Sequence, residues 1–151
     1  MQPTTTGALE IAIIAALHAI TPSHEHERAR TWRHTPSEHQ RGRAVLAGTD
    51  LRSFDLVWSN ARPSFMWQGS GPQAWAAELR ICVSYRNLPP ELARHVIALD
   101  GRDLYRALWA LPEPTTPGLS HFEFLGTEIG DTADPAMLTA DFLLRAHWAQ
   151  D

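Results

Sequence analysis

The chain has 151 residues, 44% of them hydrophobic and 20% charged, and a formal net charge of −4 at pH 7. This composition is typical of one globular domain, large enough to bury roughly 70% of its unfolded surface. All 13 basic residues are arginines, which excludes lysine Schiff-base chemistry and a phosphate-loop lysine. The single cysteine, Cys82, excludes an intrachain disulfide. The negative charge argues against a nucleic-acid binder, which normally has a basic surface.

The N-terminal part of the chain begins with a helical pattern. Apolar residues at spacings of three and four predict a helix over residues 7–19, stopped by Pro22. They are Leu9, Ile13, Leu17 and Ile20. The apolar run at 11–20 is too short to cross a bilayer, and no basic residue precedes it as in a signal peptide, so we expect an intracellular protein without a membrane partner. Residues 23–42 have no usable period and predict a long polar loop.

Two strands are predicted before the centre of the chain. Residues 43–47 favour a short strand, which a glycine-containing turn follows. Apolar and polar residues alternate over residues 54–58, which predicts a second strand. Residues 60–72 are bounded by prolines and glycines and are interpreted as a loop or a loose hairpin tip.

The centre of the chain is a long strand that leads directly into a helix. Residues 75–86 alternate over their whole length, as is typical of a strand buried on one face. Pro89 and Pro90 end this strand because proline cannot donate to a ladder. Residues 91–111 then predict a helix whose apolar side folds back on the strand. We predict a shared core formed by Leu79, Ile81, Val83, Leu99, Leu108, Phe142 and Leu144.

The last part of the chain predicts two more strands. Residues 122–125 alternate up to Gly126, an acidic turn follows at 127–135, and residues 138–148 alternate again. Short turns between strands favour antiparallel pairing. The sequence therefore predicts a single α+β domain over residues 1–151, with one antiparallel or mixed β-sheet and two main helices packed on one face.

One local cluster has the residue types that bind metal ions. Its members are His24, Glu25, His26 and Glu27, with His34 and His39 further along. Histidine and carboxylate are good ligands for first-row metals, but the spacing is not the two-histidine helical face of the zincins. A solvated polar loop is the favoured interpretation, and a bound metal is the alternative.

The sequence contains no motif for catalysis. Ser70 lies between two glycines without the G-x-S-x-G spacing of a nucleophile elbow. Asp100 and Asp103 lack the spacing of an EF-hand, so Asp100 is interpreted as capping or kinking the helix at Gly101. There is no glycine-rich phosphate loop. We therefore predict neither a catalytic site nor a metal or cofactor.

The six tryptophans divide by their positions in the predicted elements. Four lie on apolar sides and are predicted to pack in the core: Trp58, Trp75, Trp109 and Trp148. Trp32 and Trp67 lie in polar or glycine-rich loops. Each of these two either contacts a partner, as exposed tryptophans often do, or caps the domain's own core.

The order and size of these elements resemble the tail terminator family of long-tailed bacteriophages, small proteins that close the head-proximal end of a tail tube. The matching features are the helix at 7–19, the strand at 54–58, the long strand at 75–86 with the helix at 91–111, and the closing strands at 122–125 and 138–148. The link at 126–135 matches the short acidic and glycine-containing link of the family. The loop at 23–40 is longer and richer in histidine than the family pattern.

The resemblance implies a structural virion protein without enzymatic activity. It would form a ring, typically of six copies, on the last ring of tail tube protein, stop polymerisation and present a surface to the head–tail connector. DNA would pass through without specific binding, which the lack of a net basic surface suits. Such a protein is located in the tail or neck of the virion after assembly in the host cytoplasm. The alternatives are another neck component (a head–tail connector or a tail-completion protein) and a small metal-dependent enzyme using His24 and His26.

Charge is unevenly distributed along the chain. Residues 23–43 hold five arginines against three glutamates, whereas residues 107–151 hold one arginine against seven acids. Each subunit of a cyclic ring uses two different patches, so opposite charges on one chain can pair between neighbours. The candidate interface residues are Arg28, Arg30, Trp32, Arg33, Arg41, Arg43, Phe65, Met66 and Trp67. The alternative is that these arginines are solvated or face the tube or the connector.

Overall fold

The structure is a computed structural model, and it describes residues 6–23, 32–34, 52–59, 62–65, 73–86, 88–112, 118–131 and 137–150. The helices are α1 (Thr6–His18) and α2 (Pro90–Trp109). The strands are β1 (Trp32–His34), β2 (Arg52–Trp58), β3 (Arg62–Phe65), β4 (Gln73–Arg86), β5 (Leu119–Asp131) and β6 (Met137–Gln150). The strand predicted at residues 43–47 lies outside the described residues.

The described strands form one mixed sheet in the order β1-β2-β4-β6-β5, with β3 paired to the start of β4. β1 runs parallel to β2, and the other described pairings are antiparallel. β4 and β6 pair along their whole length, from Gln73 opposite Gln150 to Arg86 opposite Met137. A slip of one residue would turn every apolar side chain of a strand to the other face, so burial determines this register.

Both helices cover one face of the sheet, which confirms the predicted α+β architecture. α1 packs on β1 and α2, and the His34 N–H donates a 3.1 Å hydrogen bond to Nε2 of His18 in α1. α2 extends to β5, where the rings of Tyr105 and Phe124 meet edge-on with centroids 6.0 Å apart. The helical layer is therefore ordered like the sheet, with α1 beside the first strand and α2 reaching the last.

The core lies between the sheet and the helices, and the strands face it in the predicted phase. Leu79, Ile81, Val83, Phe142 and Leu144 are each at most 1% exposed. Burying a side chain of this size contributes roughly 1.5–3 kcal/mol. The alternation in β4 and β6 therefore selects the face that meets the helices. The apolar stripe predicted on α1 is buried as well.

The inward stripe of α2 differs from the predicted one at Leu99. Four buried residues spaced four apart form it: Val96, Asp100, Leu104 and Leu108. Leu99 is only partly buried and lies outside the core cluster, so its predicted place in the core is wrong. Asp100, the next residue, occupies the inward position instead. α2 also continues through Gly101, so Asp100 does not cap the helix there.

β5 is longer than predicted. It continues past Gly126 to Asp131, so residues 127–131, predicted as the start of an acidic turn, belong to a strand. The pairing with β6 shifts register between Phe124 and Gly126. Gly126 has a φ of 150°, a conformation that favours glycine, and the irregularity breaks the alternation on which the prediction depended.

Two shorter elements lie in segments without a clear pattern. β1 has three residues within the predicted polar loop, which is too short to produce a periodic signal. β3 pairs with β4, so residues 62–65, predicted as part of a loop or loose hairpin tip, belong to a strand, and residues 66–72 lie outside the described residues. Among the four tryptophans predicted in the core, Trp148 is buried and Trp58 and Trp75 are partly buried, whereas Trp109 is 67% exposed. The prediction for Trp109 is wrong, because it lies one position beyond the inward Leu108.

Candidate functional site

A buried polar cluster joins α2 to two strands of the sheet. Arg52, the first residue of β2, donates a 2.6 Å hydrogen bond from Nε to Oδ2 of Asp100. The Tyr85 hydroxyl donates to the same oxygen at 2.8 Å. Neighbouring Asp103 accepts hydrogen bonds from the backbone N–H and the hydroxyl of Ser23. These bonds tie the middle of α2 to β2, to β4 and to the segment after α1.

Burial dominates the electrostatics of this cluster. It raises the pKa of Asp100 above its usual range, although the hydrogen bonds from Arg52 and Tyr85 act in the opposite direction. Burial also raises the pKa of Tyr85 well above its ordinary value, and the neighbouring Asp100 adds to the shift. All three side chains are fully buried. A substrate cannot reach them, so the cluster orients the helix on the sheet.

The sheet face opposite the helices, called the open face below, carries a network of charged side chains. Arg145 lies between two carboxylates: Nη2 donates to Glu78 Oε1 at 3.1 Å, and Nη1 lies 3.5 Å from Glu123 Oε1. Arg80 pairs with Asp141 at 3.0 Å. Exposed ion pairs contribute about 0–1 kcal/mol each. They therefore matter more for the charge pattern of this face than for stability.

Two histidines extend this network of charged side chains toward β5. The rings of His121 and His147 stack with centroids 4.4 Å apart. His147 Nε2 lies 3.2 Å from Glu123 Oε1, and this hydrogen bond lowers the pKa of Glu123 below its ordinary value. Within the described ranges, no three histidine, cysteine or acidic side chains converge on a possible metal position. The cluster at residues 24–27 lies outside those ranges, so the absence of a metal stays a prediction.

Cys82 lies on the same sheet face and is half-buried. Burial and the neighbouring Asp141 raise the pKa of its thiol to about 12. Because the thiolate is the nucleophilic form, this cysteine is a poor nucleophile at neutral pH.

A groove with a volume of about 420 Å³ lies between α2 and β5. Its floor and walls are mainly apolar and include Ile97, Tyr105, Phe124 and Ile129. Phe124 is 40% exposed and Ile129 51% exposed. Two arginines of α2, Arg94 and Arg102, also line it. An open apolar groove with basic side chains suits protein contact better than chemistry on a small substrate.

The structure describes three of the nine candidate interface residues. Arg33 is exposed in β1, whereas Trp32 is 2% exposed and packs against Phe54 and Phe142. For Trp32 the structure therefore favours the core-capping alternative. Phe65 is the last residue of β3. The remaining six lie outside the described residues, and the assignment of the set to an interface stays a prediction: Arg28, Arg30, Arg41, Arg43, Met66 and Trp67.

The buried cluster was missed by the sequence analysis, although the sequence contains its signal. Arg52 has the same strand phase as the buried Phe54 and Leu56. Asp100 lies four residues from both Val96 and Leu104 on the inward stripe of α2. One arginine and one aspartate, each at a position where the pattern of its element predicts a buried apolar residue, indicate a buried ion pair.

Comparison with solved structures finds a fold similar to that of this chain. No protein-family model and no curated protein matches the chain. A solved structure described as "Virion of native gene transfer agent (GTA) particle" matches 95% of this chain and 96% of its own chain, with a TM-score of 0.60 and 16% sequence identity. At this identity the likeness establishes a shared fold. No helix in the described part of the chain has the length and apolar character needed to span a membrane.

Proposed function

We propose that this chain is a structural component of a phage-like virion and acts there as a tail terminator, a ring that caps the tail tube and joins it to the head connector. The observation that carries the proposal is the fold shared with a protein of the gene transfer agent virion, which extends over nearly the whole of both chains. The order of elements, which resembles the tail terminator family, supports the same assignment.

The described surface suits a subunit that contacts several protein neighbours. It has an apolar groove between α2 and β5, and large apolar side chains stand exposed elsewhere, including Ile11 and Trp109. The fully buried cluster and the protonated Cys82 thiol are both unsuited to catalysis. A structural role in the virion agrees with these groups, and the metal-dependent alternative depends on His24 and His26, which lie outside the described residues.

The network of charged side chains on the open sheet face suits a protein that DNA passes without binding. On the described part of this face, Arg80 and Arg145 both pair with carboxylates. Tight binding of DNA requires cations that neutralise phosphates and release counterions. Arginines that already have acidic partners, in a chain with a net charge of −4, provide little of this driving force.

A second candidate is another neck component, either a head–tail connector or a tail-completion protein. Such a protein has a similar size and also assembles as a ring, so the shared virion fold supports it equally. The two candidates differ in what they act on, because a terminator stops the tube from growing whereas a connector binds the head.

The test is polymerisation of the tail tube protein with and without this chain. For a terminator, we expect rings of about six copies by light scattering, bound at one end of tubes that stop growing when the rings are added. Tubes that grow unchanged, while the rings bind isolated head connectors, would identify a neck component instead. A protein that is monomeric at every concentration and binds neither assembly would overturn both assignments.

A further inference from the structure

The two lateral edges of the described subunit carry different apolar surfaces. α1 lies at the β1 edge, with its inner stripe of Leu9, Ile13 and Leu17 in the core. Its outer side is apolar too: Ala8 and Ala15 are exposed, and Ile11 is 70% exposed. A helix that is apolar all round is normally covered on all sides. The outer face of α1, defined by Ala8, Ile11 and Ala15, therefore has the character of an interface.

The α2–β5 groove lies at the opposite edge. β5 is the last strand of the sheet, and α2 reaches it on the helical side. Phe124 and Ile129 project from the strand into the groove, facing Ile97 and Tyr105 of the helix. The subunit thus presents an exposed apolar helix face at one edge and an apolar groove at the other.

We propose that the outer face of α1 of one copy docks in the α2–β5 groove of the next copy, so that subunits associate head-to-tail. Different surfaces at opposite edges generate a ring when the rotation between copies closes. A single isoleucine flanked by alanines forms a narrow ridge that can enter a groove. The inference rests on the self-association contained in the proposed function and not on a particular place in the virion.

The charges favour a second copy as the occupant of the groove. Arg94 and Arg102 line it, so a partner helix must not bring further basic side chains. α1 has no lysine or arginine, its one histidine is His18 in the last turn, and its one acidic residue is Glu10. Glu10 is partly buried on the flank of the helix, where docking places it near the arginine-bearing wall. Opposite charges at the margin of an apolar contact set orientation and the rate of encounter.

Cross-linking between engineered cysteines tests the contact directly. In a Cys82→Ser background, the double variant Ile11→Cys with Ile129→Cys is treated with a short bismaleimide. We expect a ladder of covalent oligomers, because each subunit would contribute one cysteine to each of two contacts. A mixture of the two single-cysteine variants should stop at covalent dimers, and each single variant alone should stay monomeric in a denaturing gel.

Light scattering on the same samples separates this inference from the proposed function. Rings that form without any cross-linked ladder would overturn the α1–groove contact while leaving self-association in place. A chain that stays monomeric at all concentrations would overturn both.

A matched pair of variants in β5 provides a second measurement. Ile129→Asp should raise the dissociation constant of assembly about tenfold or more, as expected for a charge placed in an apolar contact. Leu125→Asp is the control: Leu125 is 42% exposed on the same strand but does not line the groove. Equal weakening by both variants, with both still folded, would contradict the proposal. Glu10→Arg should also weaken assembly, and adding Arg102→Glu should restore it.

Discussion

Arg52 Nε donates a 2.6 Å hydrogen bond to Asp100 Oδ2, and neither side chain is more than 1% exposed. The bond joins residues 48 positions apart in the chain and fixes α2 on β2. A buried ion pair gains little net stability, because desolvation of both charges offsets their attraction. Its contribution here is positional, since only one placement of α2 along the sheet brings the carboxylate to the guanidinium and to the Tyr85 hydroxyl at once.

Removing one partner of this pair should be far more costly than removing both. Asp100→Ala should lower the free energy of unfolding by about 3–5 kcal/mol, because the buried Arg52 loses the carboxylate that compensates its charge. The double change Arg52→Met with Asp100→Leu should lower it by less, since neither charge of the pair remains. Urea denaturation followed by circular dichroism measures both.

The matched control for that experiment is an exposed ion pair. Arg80→Ala removes the partner of Asp141 on the open sheet face, where the Arg80 side chain is 47% exposed. A change of about 0–1 kcal/mol is expected there. If Asp100→Ala cost no more than Arg80→Ala, the buried cluster would not have the orienting role described above.

Ile81 lies at the centre of the core, on the face of β4 that meets the helices. Ile81→Asp should unfold the domain, because burying an unpaired carboxylate costs several kcal/mol on top of the lost apolar burial. Leu143→Asp is the matched control, since Leu143 lies opposite Arg80 on the open face of β6. We expect it to retain a cooperative thermal transition, and loss of that transition in both variants would contradict the assigned strand phase.

The thiol of Cys82 should react slowly in the folded protein. Its pKa is raised from 9.0 to about 12, which makes the thiolate fraction at pH 8 about a thousandfold smaller than in the unfolded chain. Alkylation by iodoacetamide, followed by mass spectrometry with and without denaturant, measures the ratio of the two rates. Similar rates in both states would show that the burial and the neighbouring Asp141 do not protect the thiol.

The elements with long, regular patterns could be predicted from the sequence. The features that depend on single residues could not. β4, α2 and β6 each repeat their period over more than ten residues, so burial of one face is visible in the sequence itself. The register shift at Gly126 breaks such a period in β5, and β1 has only three residues. Neither leaves a periodic signal.

The candidate surfaces were harder to predict than the fold, because they depend on pairs that only the topology brings together. Tyr105 and Phe124 line one groove since the sheet places β5 under α2. Arg52 and Asp100 meet for a similar reason. Linear spacing contains no information on which strand ends beside which helix, so the groove has no signature in the sequence.

Residues 28, 30 and 67 lie outside the described ranges, and their assignment to an interface comes from the sequence alone. Trp67→Ala should weaken ring assembly at every salt concentration, because an aromatic contact is not screened. The double change Arg28→Glu with Arg30→Glu should weaken it mainly at low salt, where exposed charges interact most strongly. Analytical ultracentrifugation at two ionic strengths measures both effects beside Ile129→Asp. If Ile129→Asp alone disrupts the rings, the α2–β5 groove makes the subunit contact, and the arginine-bearing segment faces another protein or solvent.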